Sequence, residues 1–172
     1  MRIAAGFSVL ELLVAVTVLG IVLGLTVPAM GQFIARSRAS TEVNEIVGAL
    51  HLARSEAVTR GVPTTVCPSN PQQTACADTA SWSGGWIVFV DASGVAGAVD
   101  GTDVILRTFA AVGSATLGVE PDSARFVRYA PSGFLLSNPL AITHTPRSCA
   151  DTDARRVEVT PLGRPGVSHV SC

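Results

Sequence analysis

The hydrophobic pattern divides the chain into three stretches. From Gly6 to Met30 the sequence reads GFSVLELLVAVTVLGIVLGLTVPAM, where Glu11 alone is ionisable, and no further charge appears until Arg36. Leu12 to Ala35 is thus a 24-residue run without charge. At a rise of about 1.5 Å per residue, roughly 20 residues span a bilayer core. From Gln32 onward the sequence keeps a helical period. Phe33, Val43, Ile46, Val47, Leu50, Ala53, Ala57 and Val58 can form one apolar stripe, with Arg36, Arg38, Glu42, Glu45, Arg54 and Glu56 mostly elsewhere. Gly61-Val62-Pro63 ends the helix, because glycine suits the terminal turn and proline cannot continue it. The pattern predicts a single helix of about 50 residues.

Beyond Pro63 the period changes. Val62–Cys67, Trp86–Val90, Val104–Phe109, Ala115–Val119, Arg125–Tyr129, Leu140–Thr143 and Arg156–Thr160 are short and rich in β-branched or aromatic residues. Turn residues bound them, so they read as strands. The expected fold class is α+β: a long N-terminal α-helix, transmembrane in its first half, packed on a small antiparallel β-sandwich head.

Composition adds one constraint. Hydrophobic residues make up 48% of the 172, but the excess sits before Met30, and the remainder is ordinary for a soluble domain. The net charge of -1 argues against a strongly basic nucleic-acid binder.

Three readings compete for the apolar run. A cleaved secretory signal could end at Val27-Pro28-Ala29, but Glu11 would then lie inside its apolar core. A plain anchor, oriented by Arg2, leaves Glu11 unexplained. A carboxylate within a membrane segment costs about 2.5–3.5 kcal/mol and calls for a partner. The third reading supplies that partner. The stretch resembles the N-terminus of type IV pilins and type II secretion pseudopilins: a short basic leader, Gly6, Phe7, then Glu11 as the fifth mature residue and an apolar helix. One position departs from the pattern. Ala5 precedes Gly6 where a basic residue is usual, so the leader's charge rests on Arg2 and the terminal amine.

The resemblance implies cleavage after Gly6 by a prepilin peptidase, N-methylation of Phe7 and a helix bend at Pro28. It divides the chain into a leader (1–6), a transmembrane or filament-core helix (7–35), an amphipathic continuation (36–61) and a β-rich periplasmic head (62–172). Such a chain would sit in the inner membrane as a single-pass protein before entering a pilus or pseudopilus near its tip. Its partners would be the peptidase, the membrane and other pilins. Glu11 then has a physical role. Unpaired in lipid it is costly, and beside the Phe7 amine of a neighbouring subunit it is neutralised, so the charge favours assembly.

The head extends the resemblance. LARSEAVTRGVPTTVCPS, a second cysteine, WSGGWIVFVD and DGTDVILR are similar to the GspH/FimT/FimU group of minor pilins and pseudopilins, whose members help prime filament assembly. Some members of the FimT group bind DNA through a Gly-Arg-x-Arg motif. Here Gly163-Arg164-Pro165-Gly166 keeps the first arginine and lacks the second. Arg164, with Arg155 and Arg156 nearby, marks the candidate DNA contact, and a surface arginine is the simpler expectation for Arg164.

Four cysteines allow three pairings. Cys67–Cys76 and Cys149–Cys172 are favoured, because each closes a short segment between strands. Zinc is the alternative, with unusual spacing. Asp91, Ser93, Asp100 and Asp103 could suggest calcium, but no EF-hand spacing is present, and turn roles are simpler. His51 reads as a helix-surface residue, and His144 and His169 as strand or loop residues. No nucleophile motif accompanies them. The sequence therefore implies no enzyme, cofactor or metal.

Overall fold

The computed structural model describes residues 8–113, 115–122, 124–147, 149 and 154–172; within its helix, the side chains at 25–29, 32 and 35 fall outside that description. Gly6 and Phe7, and the leader before them, lie outside the described residues. The chain forms two compact units, Met1–Ser37 and Arg38–Cys172.

One helix, α1 (Val9–Arg60), contributes to both units and continues through Pro28. Ser8 caps it, its Oγ accepting from the Leu10 N–H at 3.3 Å. Gly61 ends it in the left-handed conformation (φ 68°), donating to the Ala57 carbonyl at 3.0 Å. In the first unit the described apolar side chains are exposed: Val9 is 75% exposed, Leu13 61%, Leu19 57% and Ile21 60%. Among the described residues, no helix is long and apolar enough to cross a membrane.

In the second unit α1 buries Ala39, Val43, Ile46, Ala49, Leu50, Ala53 and Ala57, a stripe at three- and four-residue spacing. Two members of the expected stripe are corrected. Phe33 is exposed and belongs to the first unit, and Val58 is exposed because Ala57 takes the inward position at that turn.

Among the described residues, eight strands follow: β1 (Thr64–Pro68), β2 (Trp86–Val90), β3 (Val104–Phe109), β4 (Ala115–Glu120), β5 (Val127–Tyr129), β6 (Leu140–Pro146), β7 (Ala154–Val159) and β8 (Pro165–Val170). They form two antiparallel sheets, ordered β3-β2-β1-β5 and β4-β6-β7-β8. The fold is therefore α+β with antiparallel sheets. β8 is a strand that the sequence pattern does not announce.

One core joins the helix to both sheets. Val43, Ile46 and Leu50 of α1 pack with Val66, Trp86 and Val88 of the first sheet and Leu117, Ile142 and Val157 of the second. A smaller cluster covers the other face of the first sheet, where Cys67, Ile87 and Phe89 meet Val99, Ile105 and Phe126. β1 and β2 are consequently buried at every position, and the WIVFV of β2 reads as a continuous apolar run. β4 has one covered face and alternates buried and exposed.

Candidate functional site

Glu11 lies in the first turn of α1, exposed, three residues after the capping Ser8. Free N–H groups of that turn favour a carboxylate locally. Phe7, its expected partner across subunits, lies outside the described residues. Between Glu11 and Arg36 the sequence carries no ionisable residue.

The head is stapled twice. Cys67 of β1 joins Cys76 across a Cα–Cα distance of 5.6 Å, and Cys149 joins the last residue, Cys172, at 6.0 Å. The first staple closes the loop after β1, where Asn70 Oδ1 also accepts from the N–H groups of Thr74 and Ala75. The second holds the segment before β7 to the end of the chain after β8.

The candidate DNA arginines do not come together. Arg164 is exposed in the β7–β8 turn, where Gly163 (φ 73°) donates to the Thr160 carbonyl at 2.8 Å. Arg155 lies toward the far end of the same hairpin, in register with His169, and donates to Ser40 Oγ at 3.1 Å. Arg156 is held between Glu120 and Glu158, 2.7 Å from each. The hydrogen bond from Arg156 lowers the Glu120 pKa, and the two carboxylates raise that of Arg156. Arg155 and Arg156 are thus engaged within the head, and Gly166 occupies β8, an edge strand.

Two polar residues singled out in the sequence, His144 and Asp91, are fully buried, and a turn or surface role does not account for them. His144 is fully buried on β6, its Nε2 2.6 Å from Glu42 Oε2 on α1. The alternation Leu140, Ile142, His144 on a strand carries the signal for this inward position. Asp91, also fully buried, pairs with Arg128 at 2.9 Å and accepts from the Thr65 hydroxyl at 2.6 Å and the Gly97 N–H at 3.0 Å. The other loop carboxylates serve as turn acceptors: Asp100 for Val95 N–H, and Asp103 for Ala92 and Asp100 N–H. Among the described residues, no group of three or more His, Cys, Asp or Glu is placed to hold a metal.

A long N-terminal helix carrying a disulfide-stapled antiparallel head defines the pilin-like class. The family described as "Type II transport protein GspH" matches residues 42–163, more than half of the chain, and the chain belongs to that family. Among solved structures, the chain is similar to the type IV minor pilin FimU of Pseudomonas aeruginosa. One crystal form gives a TM-score of 0.60 at 16% identity, covering 79% of this chain and 92% of FimU. A second gives 0.56 at 17%, covering 77% and 90%. It is also similar to the minor pseudopilin EpsH of the Vibrio cholerae Type 2 Secretion System, with a TM-score of 0.51 at 12% identity, covering 78% and 97%. No curated protein matches the chain. The chain is accordingly a member of the GspH family with the fold that FimU and EpsH share.

Proposed function

We propose that this chain is a minor pilin that primes or joins a type IV pilus. A prepilin peptidase cuts after Gly6, Phe7 is N-methylated, and α1 holds the protein in the inner membrane with the head in the periplasm until assembly. The supporting observation is the first unit. Its helix exposes the described apolar side chains, with Glu11 as the sole charge before Arg36. Such a surface requires a cover, and lipid followed by neighbouring helices supplies one. Glu11 gives the transfer its direction, because the carboxylate is neutralised by the Phe7 amine of the next subunit in the filament and is unpaired in lipid. Pro28 lets the helix bend on packing. The pilus is preferred to a secretion pseudopilus for its two cysteine pairs and FimT/FimU-like segments. Neighbouring minor pilin genes are expected, and secretion genes there would contradict that preference.

Glu11→Ala and Glu11→Gln test the pairing. Both should insert into the membrane as well as the parent chain and enter filaments less. Equal recovery of parent and variants in sheared filaments would overturn the role of the charge.

A further inference from the structure

We infer that the surface at the C-terminal end of α1 docks another pilin-type subunit, one presenting a carboxylate flanked by apolar side chains. This rests on the filament reading above and names a second contact, on the head, in addition to the helix.

Three segments converge there. Arg54 and Val58 come from the last turns of α1, Gly133 and Phe134 from the turn after β5, and Leu162 and Arg164 from the β7–β8 turn. Arg54 Nε donates to the Gly133 carbonyl at 3.1 Å. A Cβ on Gly133 would lie 3.2 Å from Arg54 Nε and 3.4 Å from a Val58 methyl, so the turn is seated directly on the helix. The β7–β8 turn is seated in its turn on that carbonyl. At Gly163 no side chain fits against the Gly133 oxygen and the Tyr129 ring, and the Leu135 N–H donates to the Pro161 carbonyl at 3.1 Å.

On this joint the head leaves its apolar side chains uncovered. Val58 is 54% exposed, Phe134 49% and Leu162 56%. Single exposed apolar residues are ordinary, whereas three gathered from separate segments onto one rigid joint mark an interaction surface. Its charge specifies the partner. Among the described residues, neither Arg54 nor Arg164 meets a carboxylate; Arg54 bonds only a carbonyl. Two unanswered guanidinium groups beside aromatic and aliphatic side chains match the make-up of protein interfaces, where arginine and phenylalanine are enriched. A nucleic-acid backbone would use the arginines and leave Phe134, Leu162 and Val58 unmatched.

The test places a photo-crosslinking amino acid at Leu162 or, separately, at Leu19, in the full-length chain expressed in its own host. The inference predicts adducts with another pilin-type subunit from both positions. Arg164→Glu should cut the Leu162 adduct about tenfold, Arg164→Lys should retain most of it, and the Leu19 adduct should be unchanged by either. Adducts from Leu19 without any from Leu162 would overturn the docking surface and leave the filament reading standing. No adduct from either position would overturn both. A Leu162 adduct with DNA or only with a second copy, or one indifferent to Arg164→Glu, would also overturn the inference.

Discussion

His144 Nε2 on β6 and Glu42 Oε2 on α1 meet at 2.6 Å, with the imidazole fully buried. On the adjoining strand Arg155, the register partner of His144, donates to Ser40 one half-turn earlier on the same helix. Two neighbouring strands thus hold α1 by polar contacts at one level. The stripe that packs beside them is rich in alanine, which tolerates small rotations of a helix. A buried polar pair does not, because displacement leaves its atoms without partners.

Removing one member of the pair is therefore expected to destabilise the protein. Glu42→Ala should cost about 1–3 kcal/mol through the unsatisfied imidazole. His144→Ala should cost at least as much, since it also opens a cavity. Urea unfolding of the detergent-solubilised full chain would measure both. The double variant should be less destabilised than the sum, with a coupling of about 0.5–3 kcal/mol. Strict additivity would contradict the pairing.

The staples should matter separately. Replacing Cys67 and Cys76 by alanine, or Cys149 and Cys172, should each lower stability by about 2–4 kcal/mol. Loss of the second pair should also expose the segment after β8 to protease, because that bond holds Cys172. A non-reducing peptide map should recover Cys67 linked to Cys76; Cys67 linked to Cys149 or Cys172 would contradict the fold around β1.

Duplex DNA should bind weakly or not at all. The mature chain would lose Arg2, leaving eleven arginines (12 − 1) against 13 carboxylates, a net charge of -2. Of the three candidate arginines, Arg155 and Arg156 are engaged within the head. A titration at low and moderate salt, beside Arg164→Ala, would decide. Micromolar or tighter binding that falls steeply with salt and is lost in the variant would show a phosphate-contacting surface instead.

The sequence announced elements whose residues report their own environment. β2 and β3 occupy Trp86–Val90 and Val104–Phe109, the bounds that their β-branched and aromatic runs predict, and α1 stops at the Gly61 signal. β8 was illegible for a physical reason. Pro165 and Gly166 have no strand preference, and Val167, Ser168 and His169 are all exposed, so no alternation appears. Pairing with β7 makes the strand, and Pro165 is admitted at its first position, where its missing N–H costs least. Ala39 and Ala49 were missed in the stripe because alanine reads equally well on either face. The Glu42–His144 contact joins residues 102 apart in sequence, and local pattern carries no information on such a pair. Glu11 was legible because a lone charge in an apolar run needs an explanation wherever it lies.

A filament-forming first unit requires release by processing between Gly6 and Phe7. Mass spectrometry of the N-terminal peptide from the protein made in its own host tests it most directly. The expected mature chain begins at Phe7 and carries a methyl group on the Phe7 nitrogen. A mature chain beginning at Met30, after the apolar run, would contradict it.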